Sequence, residues 1–137
     1  MNATNARFTM EEMKSRLSTL WIFVLFNMAF ADIIGFVEPG TLETLMAGDV
    51  GFELTPAIMV VISLIQAIPI AMVLLSRFLD YRMNRWANIV AAIITLVYII
   101  GGGSWDRASY IVFATLEILA LLYIIWSAWT WRAPERV

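Results

Sequence analysis

Four stretches of this chain are each long and apolar enough to cross a bilayer, and they leave little else. A spanning helix needs about 20 predominantly apolar residues. Leu17 to Val37, Pro56 to Phe78, Arg85 to Gly102 and Ala108 to about Trp131 all qualify. In a chain of 137 residues only short connections and tails remain. The expected fold is therefore all-α, one integral membrane four-helix bundle covering residues 1–137. Composition agrees, with 61% hydrophobic and 15% charged residues against about 45–50% and about 25% in soluble domains. A soluble globule, a disordered segment and a nucleic-acid binder are excluded. No internal repeat or low-complexity run is present.

The helix ends carry local signals. Thr9-Met10-Glu11-Glu12 reads as a capping box, with Phe8 and Met13 placed for a hydrophobic staple, so the first helix is expected to start near Met10 in the interface. Pro39-Gly40 ends it. Thr55-Pro56 is an N-cap followed by proline at the first helical position. Gly101-Gly102-Gly103-Ser104 ends the third span, and Asp106 is placed to cap the fourth. Thr41 to Ala47 suits a short interfacial helix. Lys14, Arg16 and the run ending in Ala29-Phe30-Ala31 imitate a signal peptide. Asn27 inside that run favours a retained span.

Basic residues orient the bundle, because cytoplasmic flanks collect Lys and Arg. With the N-terminus inside, Arg7, Lys14, Arg16, Arg77, Arg82, Arg85, Arg132 and Arg136 lie on the inner side. Arg107 alone lies outside. The expected topology is N-in, C-in, in a bacterial inner membrane, and the bias argues against dual insertion. Trp86, Trp126, Trp129 and Trp131 fall at the inner interface and Trp105 at the outer one, as an aromatic belt would. Arg77, Asp80, Arg82 and Arg85 form an anchor that meets anionic lipid. Glu38, Glu43, Asp49 and Glu53 form an acidic outer loop, either a solvated face or a mouth that attracts cations.

Of eleven acids, only Asp32 and Glu117 fall within the apolar spans. An Asp at the centre of a spanning helix costs roughly 2.5–3.5 kcal/mol on insertion scales, so such groups face the bundle interior or water. Glu117 sits near the middle of the fourth span. Asp32 sits in the outer half of the first, roughly 7 Å outward of Asn27 at about 1.5 Å per residue. Gln66 marks the same layer in the second span, three residues before Pro69, which cannot donate to the Ile65 carbonyl and should kink the helix. In the third span, Asn88, Ala91, Ala92, Thr95, Tyr98 and Gly102 share one face. In the fourth, Tyr110, Ala114, Glu117, Ala120, Leu121, Ile124 and Ala128 do the same, and small residues beside a Glu mark a helix-packing side. Asp32, Gln66, Thr95, Tyr98 and Glu117 are the candidate ligand-binding set. Leu25, Met28, Ala29 and Phe36 share the face of Asp32 and suit an apolar lining. Asn27 and Asn88 are assigned to polar helix packing. The plainer reading of the whole set is interhelical glue.

The absence of Cys and His removes disulfides, thiol redox chemistry, haem ligation by His and the usual zinc sites. No metal site and no cofactor is expected.

Leu20-Trp21-Ile22-Phe23-Val24-Leu25-Phe26-Asn27-Met28-Ala29-Phe30-Ala31-Asp32, the Pro39-Gly40-Thr41-Leu42 turn, Asn84-Arg85-Trp86-Ala87-Asn88-Ile89 and Gly101-Gly102-Gly103 resemble a family of small bacterial four-helix membrane proteins without an assigned activity. The resemblance covers nearly the whole chain and implies no chemistry. At the level of architecture alone the four spans also resemble DoxX-like proteins, some of which are linked to quinone-coupled electron transfer. Small multidrug transporters are similar in size only, since their membrane Glu lies in the first helix. Vitamin-K-epoxide-reductase-like proteins are excluded by the missing cysteines.

Several functions fit. The leading one is an outward-facing pocket around Asp32, Gln66 and Glu117 that takes a small amphipathic molecule, a quinone or lipid, or a proton. The second is a structural or accessory subunit, packing as a homo-oligomer or on a larger membrane complex. A proton- or cation-coupled carrier overlaps the first. Catalysis by the carboxylate pair on a lipid-like substrate ranks last, because no nucleophile or cofactor motif accompanies it. The expected partners are membrane lipids, with no nucleic acid.

Overall fold

The computed structural model describes the backbone of residues 3–133 and the side chains of residues 10–133. Five helices follow in order: α1 (Ala3–Val37), α2 (Thr41–Met46), α3 (Pro56–Phe78), α4 (Tyr81–Gly102) and α5 (Ala108–Thr130). No strand occurs among the described residues. Met10–Val37 within α1, and α3, α4 and α5 entire, are long and apolar enough to cross a membrane. The protein is an all-α, multi-pass membrane four-helix bundle.

Each long helix packs on two others: α1 and α4 both lie against α3 and α5, so α1 and α4 face each other across the bundle. The short α2 packs on α1. Leu17, Trp21, Val24, Met72, Ala92, Leu121 and Ile124 form the centre of the core. The small-residue faces turn inward: Ala91, Ala92 and Thr95 of α4 and Ala114, Glu117, Ala120, Leu121, Ile124 and Ala128 of α5 are all buried. Large apolar side chains such as Phe26, Leu64, Val97 and Leu119 point outward, where lipid rather than water is their natural solvent. Hydroxyls on that outer surface are satisfied within their own helices. Ser63 donates to Met59 O at 2.8 Å, and Thr115 to Ile111 O at 2.7 Å. Such back-bonding keeps these two hydroxyls from standing bare in hydrocarbon.

The α3 boundaries follow from its cap. Thr55 Oγ1 accepts from Ile58 N at 3.2 Å, and Pro56 occupies the first turn, where a missing N–H costs nothing. Gly40 adopts φ +85°, a left-handed turn that lets the chain leave α1 and enter α2 at once. Four details differ from the sequence reading. The first helix is already helical from Ala3, so Thr9 lies within it and not at its start. The side chain of Phe8, and with it the staple, lies outside the described residues, as do the side chain of Arg7 and the whole of Arg136. Arg107, not Asp106, occupies the N-cap position of α5, without a side-chain cap bond. Trp131 is buried rather than part of a belt: its ring packs edge-on to Tyr81, whose hydroxyl donates to Trp131 O at 2.6 Å.

Candidate functional site

The two ends of the bundle use polar residues differently. Toward the end where α1 begins and α5 finishes, α1, α3 and α4 meet in a closed network. Trp21 Nε1 donates to Asn88 Oδ1 at 2.7 Å, and Ser76 Oγ donates to the same oxygen at 3.2 Å. Asn88 Nδ2 donates to Asn84 O at 2.8 Å and to Asn84 Oδ1 at 2.7 Å. Asn84 Nδ2 donates to Ser76 O at 2.6 Å, tying the end of α3 to the start of α4. Beside it, Ser18 Oγ donates to Val73 O at 2.8 Å. Trp21, Asn84, Asn88 and Ser76 are all 0% exposed. Asn88 thus stands at the centre of interhelical packing. Asn27, by contrast, donates to Phe23 O of its own helix at 2.8 Å and bridges nothing.

Toward the α2 end the interior opens into two adjoining cavities. The inner one, about 80 Å³, is walled by Asp32, Gln66, Tyr98, Tyr110 and Glu117, together with Met28, Ala31, Ile99 and Gly102. Each long helix contributes a polar wall residue. The second, about 210 Å³ and more open, is lined by Gly35, Phe36, Thr41, Ser104, Arg107 and Ser109. Ala31, Asp32, Gly102 and Tyr110 belong to both. Asp32 is exposed there, whereas Glu117 is only 3% exposed.

Hydrogen bonds on these walls are few. Gln66 Nε2 donates to Tyr98 Oη at 3.1 Å. Tyr110 Oη donates to Ile99 O at 2.7 Å, while its ring meets Trp105 edge-on at 5.5 Å. Glu117 Oε1 is buried and has no partner among the described residues. That is unusual, since a buried polar atom without a partner costs about 1–3 kcal/mol and more when charged. Tyr110 can stand on the common wall because residue 103 is glycine. A Cβ there would fall inside the Tyr110 ring and hydroxyl.

At the mouth, Arg107 does not fold inward to the carboxylates. Its Nη1 lies 3.3 Å from Glu38 Oε2 and donates to Thr41 Oγ1 at 2.7 Å. Ser109 Oγ donates to the other Glu38 oxygen. Glu38 is therefore engaged at the mouth, unlike Glu43, Asp49 and Glu53, which are exposed. Among the described residues no group of three or more Asp or Glu is placed to hold a metal ion.

Of the five candidate residues, Asp32, Gln66, Tyr98 and Glu117 share one cavity. Thr95 is not on its wall; it is buried and its hydroxyl donates to Ala91 O at 2.8 Å. Met28 and Phe36 line the cavities, and Leu25 and Ala29 do not. Sequence reasoning missed Tyr110 as a wall residue, although Tyr110 shares the helical face of Glu117. It also missed Trp21, Ser76 and Asn84 as members of the buried network.

The sequence matches one family model over residues 7–137, that of DUF6326, a family of unknown function. No curated protein matches the chain, and no solved structure does.

Proposed function

The chain belongs to DUF6326, a family of unknown function, and we propose that it is a membrane binding protein that takes a small amphipathic molecule into the α2 end of the bundle. The observation that carries this is Glu117 Oε1, buried without a partner on the wall of a cavity shared with Asp32, Gln66 and Tyr98. A carboxyl kept dry and unpaired inside a packed bundle is destabilising unless something else meets it. The wider cavity supplies access and an apolar wall, through Ala31, Gly35 and Phe36. Ligand pockets are mostly apolar with a few convergent polar groups, and this one has that character at small size.

In our reading the protein lies in a bacterial inner membrane with both ends of the chain inside, so that the pocket faces outward. The basic residues at one end of the bundle support that orientation. A DoxX-like architecture remains part of the proposal. A proton- or cation-coupled carrier would need a path past Asn84, Asn88, Ser76 and Trp21, whose bonds close the other half. Binding without transport requires no such opening.

Thermal unfolding of the purified protein tests the proposal, with hexanol, hexylammonium, hexanoate and a short-tailed ubiquinone as probes. At least one should raise the Tm saturably, and Asp32→Asn and Glu117→Gln should each reduce that rise while remaining folded. Equal shifts in the wild type and both variants would sink the pocket.

A further inference from the structure

The polar wall of the inner cavity is unbalanced in hydrogen-bond donors and acceptors. Asp32 from α1 and Glu117 from α5 bring carboxyl oxygens, and Gln66 from α3 brings an amide oxygen. Gln66 Nε2 gives one of its two N–H to Tyr98 Oη, and Tyr110 Oη gives its proton to Ile99 O, which leaves one Gln66 N–H and the Tyr98 hydroxyl proton on the wall. Neither Asp32 nor Glu117 receives a hydrogen bond or ion pair from any described side chain, and no Lys or Arg lines this cavity. The one base at the adjoining cavity, Arg107, is held by Glu38 and Thr41. The space thus holds two carboxyls with no base to balance them.

We propose that the inner cavity binds a primary ammonium group, with the body of its carrier in the wider cavity beside Phe36 and Gly35. This rests on the pocket proposed above and names the chemistry it selects. An ammonium has three N–H donors and no acceptor, which suits the oxygens of Asp32, Glu117 and Gln66. A carboxylate would bring a further like charge to a wall that carries no base. A quinone carbonyl could accept from Tyr98 or Gln66 but would leave the carboxyl pair without a counter-charge. Calcium and magnesium want six or more oxygen ligands, and among the described residues no group of three or more Asp or Glu is placed to hold a metal ion. A trimethylammonium group has no N–H, so it brings the charge without the donors. One ammonium and one retained proton neutralise the carboxyl pair, which removes the cost of two like charges in a dry site. The carrier is either a small amphipathic amine or the ethanolamine headgroup of a phospholipid; both present the same chemistry.

The experiment compares hexylammonium, hexyltrimethylammonium, hexanol, hexanoate and sodium chloride as stabilisers of the wild-type protein in phosphatidylcholine nanodiscs. Hexylammonium should raise the Tm saturably and the other four should not. Glu117→Gln should weaken its binding about ten-fold or more, and Asp32→Asn, at an exposed position that tolerates change, should weaken it in the same direction. A second arm adds phosphatidylethanolamine to the nanodiscs. If the lipid is the carrier, the wild-type Tm rises and the hexylammonium effect is competed away; if a soluble amine is, both stay as in phosphatidylcholine. Equal stabilisation by hexyltrimethylammonium or sodium overturns the proposal, because charge alone would then suffice. Stabilisation by hexanol or hexanoate, without hexylammonium, overturns it while leaving the binding pocket standing. No stabilisation by any probe removes both.

Discussion

Asn88 and Glu117 are hidden almost equally, at 0% and 3% exposure, on the neighbouring helices α4 and α5. Asn88 accepts from Trp21 and Ser76 and donates to Asn84. Glu117 leaves an oxygen with no partner and stands on a cavity wall. Equal burial thus covers two different hydrogen-bond states in this bundle. The Asn88 half holds the helices together and the Glu117 half keeps a place open. The two rest on the same scaffold, since α4 carries Asn88 and Tyr98 and α5 backs both levels.

Asn88→Ala should have the largest effect, because it breaks the closed half without touching the open one. It strands Trp21 Nε1 and Ser76 Oγ, and Asn84 Oδ1 loses its donor. The expected loss is about 2–3 kcal/mol, summing modest interhelical bonds with the cost of unpaired buried groups. Chemical or thermal unfolding in detergent measures it. Glu117→Gln should change stability by less than about 1 kcal/mol in the same assay, since no protein bond is lost. If the two variants were equally harmful, the contrast between the halves would collapse.

Much of this contrast was legible in the chain. The spans follow from length and apolarity, and the spacing of three and four in α4 and α5 places Glu117 and Tyr98 inside. Asp32 and Gln66 stand out because so little else in their spans is polar. Other features depend on geometry that spacing does not carry. Thr95 has the right face but bonds to Ala91 of its own helix, as a threonine readily does. Asn84 lies one residue before Arg85, where the third span was expected to start. Only the close approach of the α3 end to the α4 start brings it to Ser76. The capping box at Thr9 was overridden because helical structure already extends from Ala3. Trp131 followed the belt pattern, yet its ring found Tyr81 instead of lipid.

Gly103→Ala should have an intermediate effect, confined to the open half. The new Cβ would displace Tyr110, which loses its bond to Ile99 O and no longer stands between the two cavities. A loss of about 1 kcal/mol is expected, together with weaker ligand stabilisation. Adding Tyr110→Ala should make the Gly103→Ala change nearly harmless, because the clash is gone. A double-mutant cycle on Tm detects that coupling, and additive effects would show that Tyr110 and Gly103 do not define the wall.

Ser127→Ala should have the smallest effect and sharpen the comparison most. Ser127 is 2% exposed, and its Oγ, like Glu117 Oε1, is buried without a partner. It lies near the end of α5, away from α2, and lines neither of the two cavities. If lack of a partner alone marked a binding group, Ser127 would mark one too. We expect Ser127→Ala to shift stability by less than about 0.5 kcal/mol, or to raise it, because an unsatisfied hydroxyl is replaced by a methyl in a packed region. Ligand-induced stabilisation should be unchanged. A loss of ligand response in Ser127→Ala would mean that the closed half also takes part in binding. An unchanged response assigns binding to the conjunction found at Glu117, where an unpartnered oxygen, an adjoining cavity and a second carboxyl on the facing wall occur together.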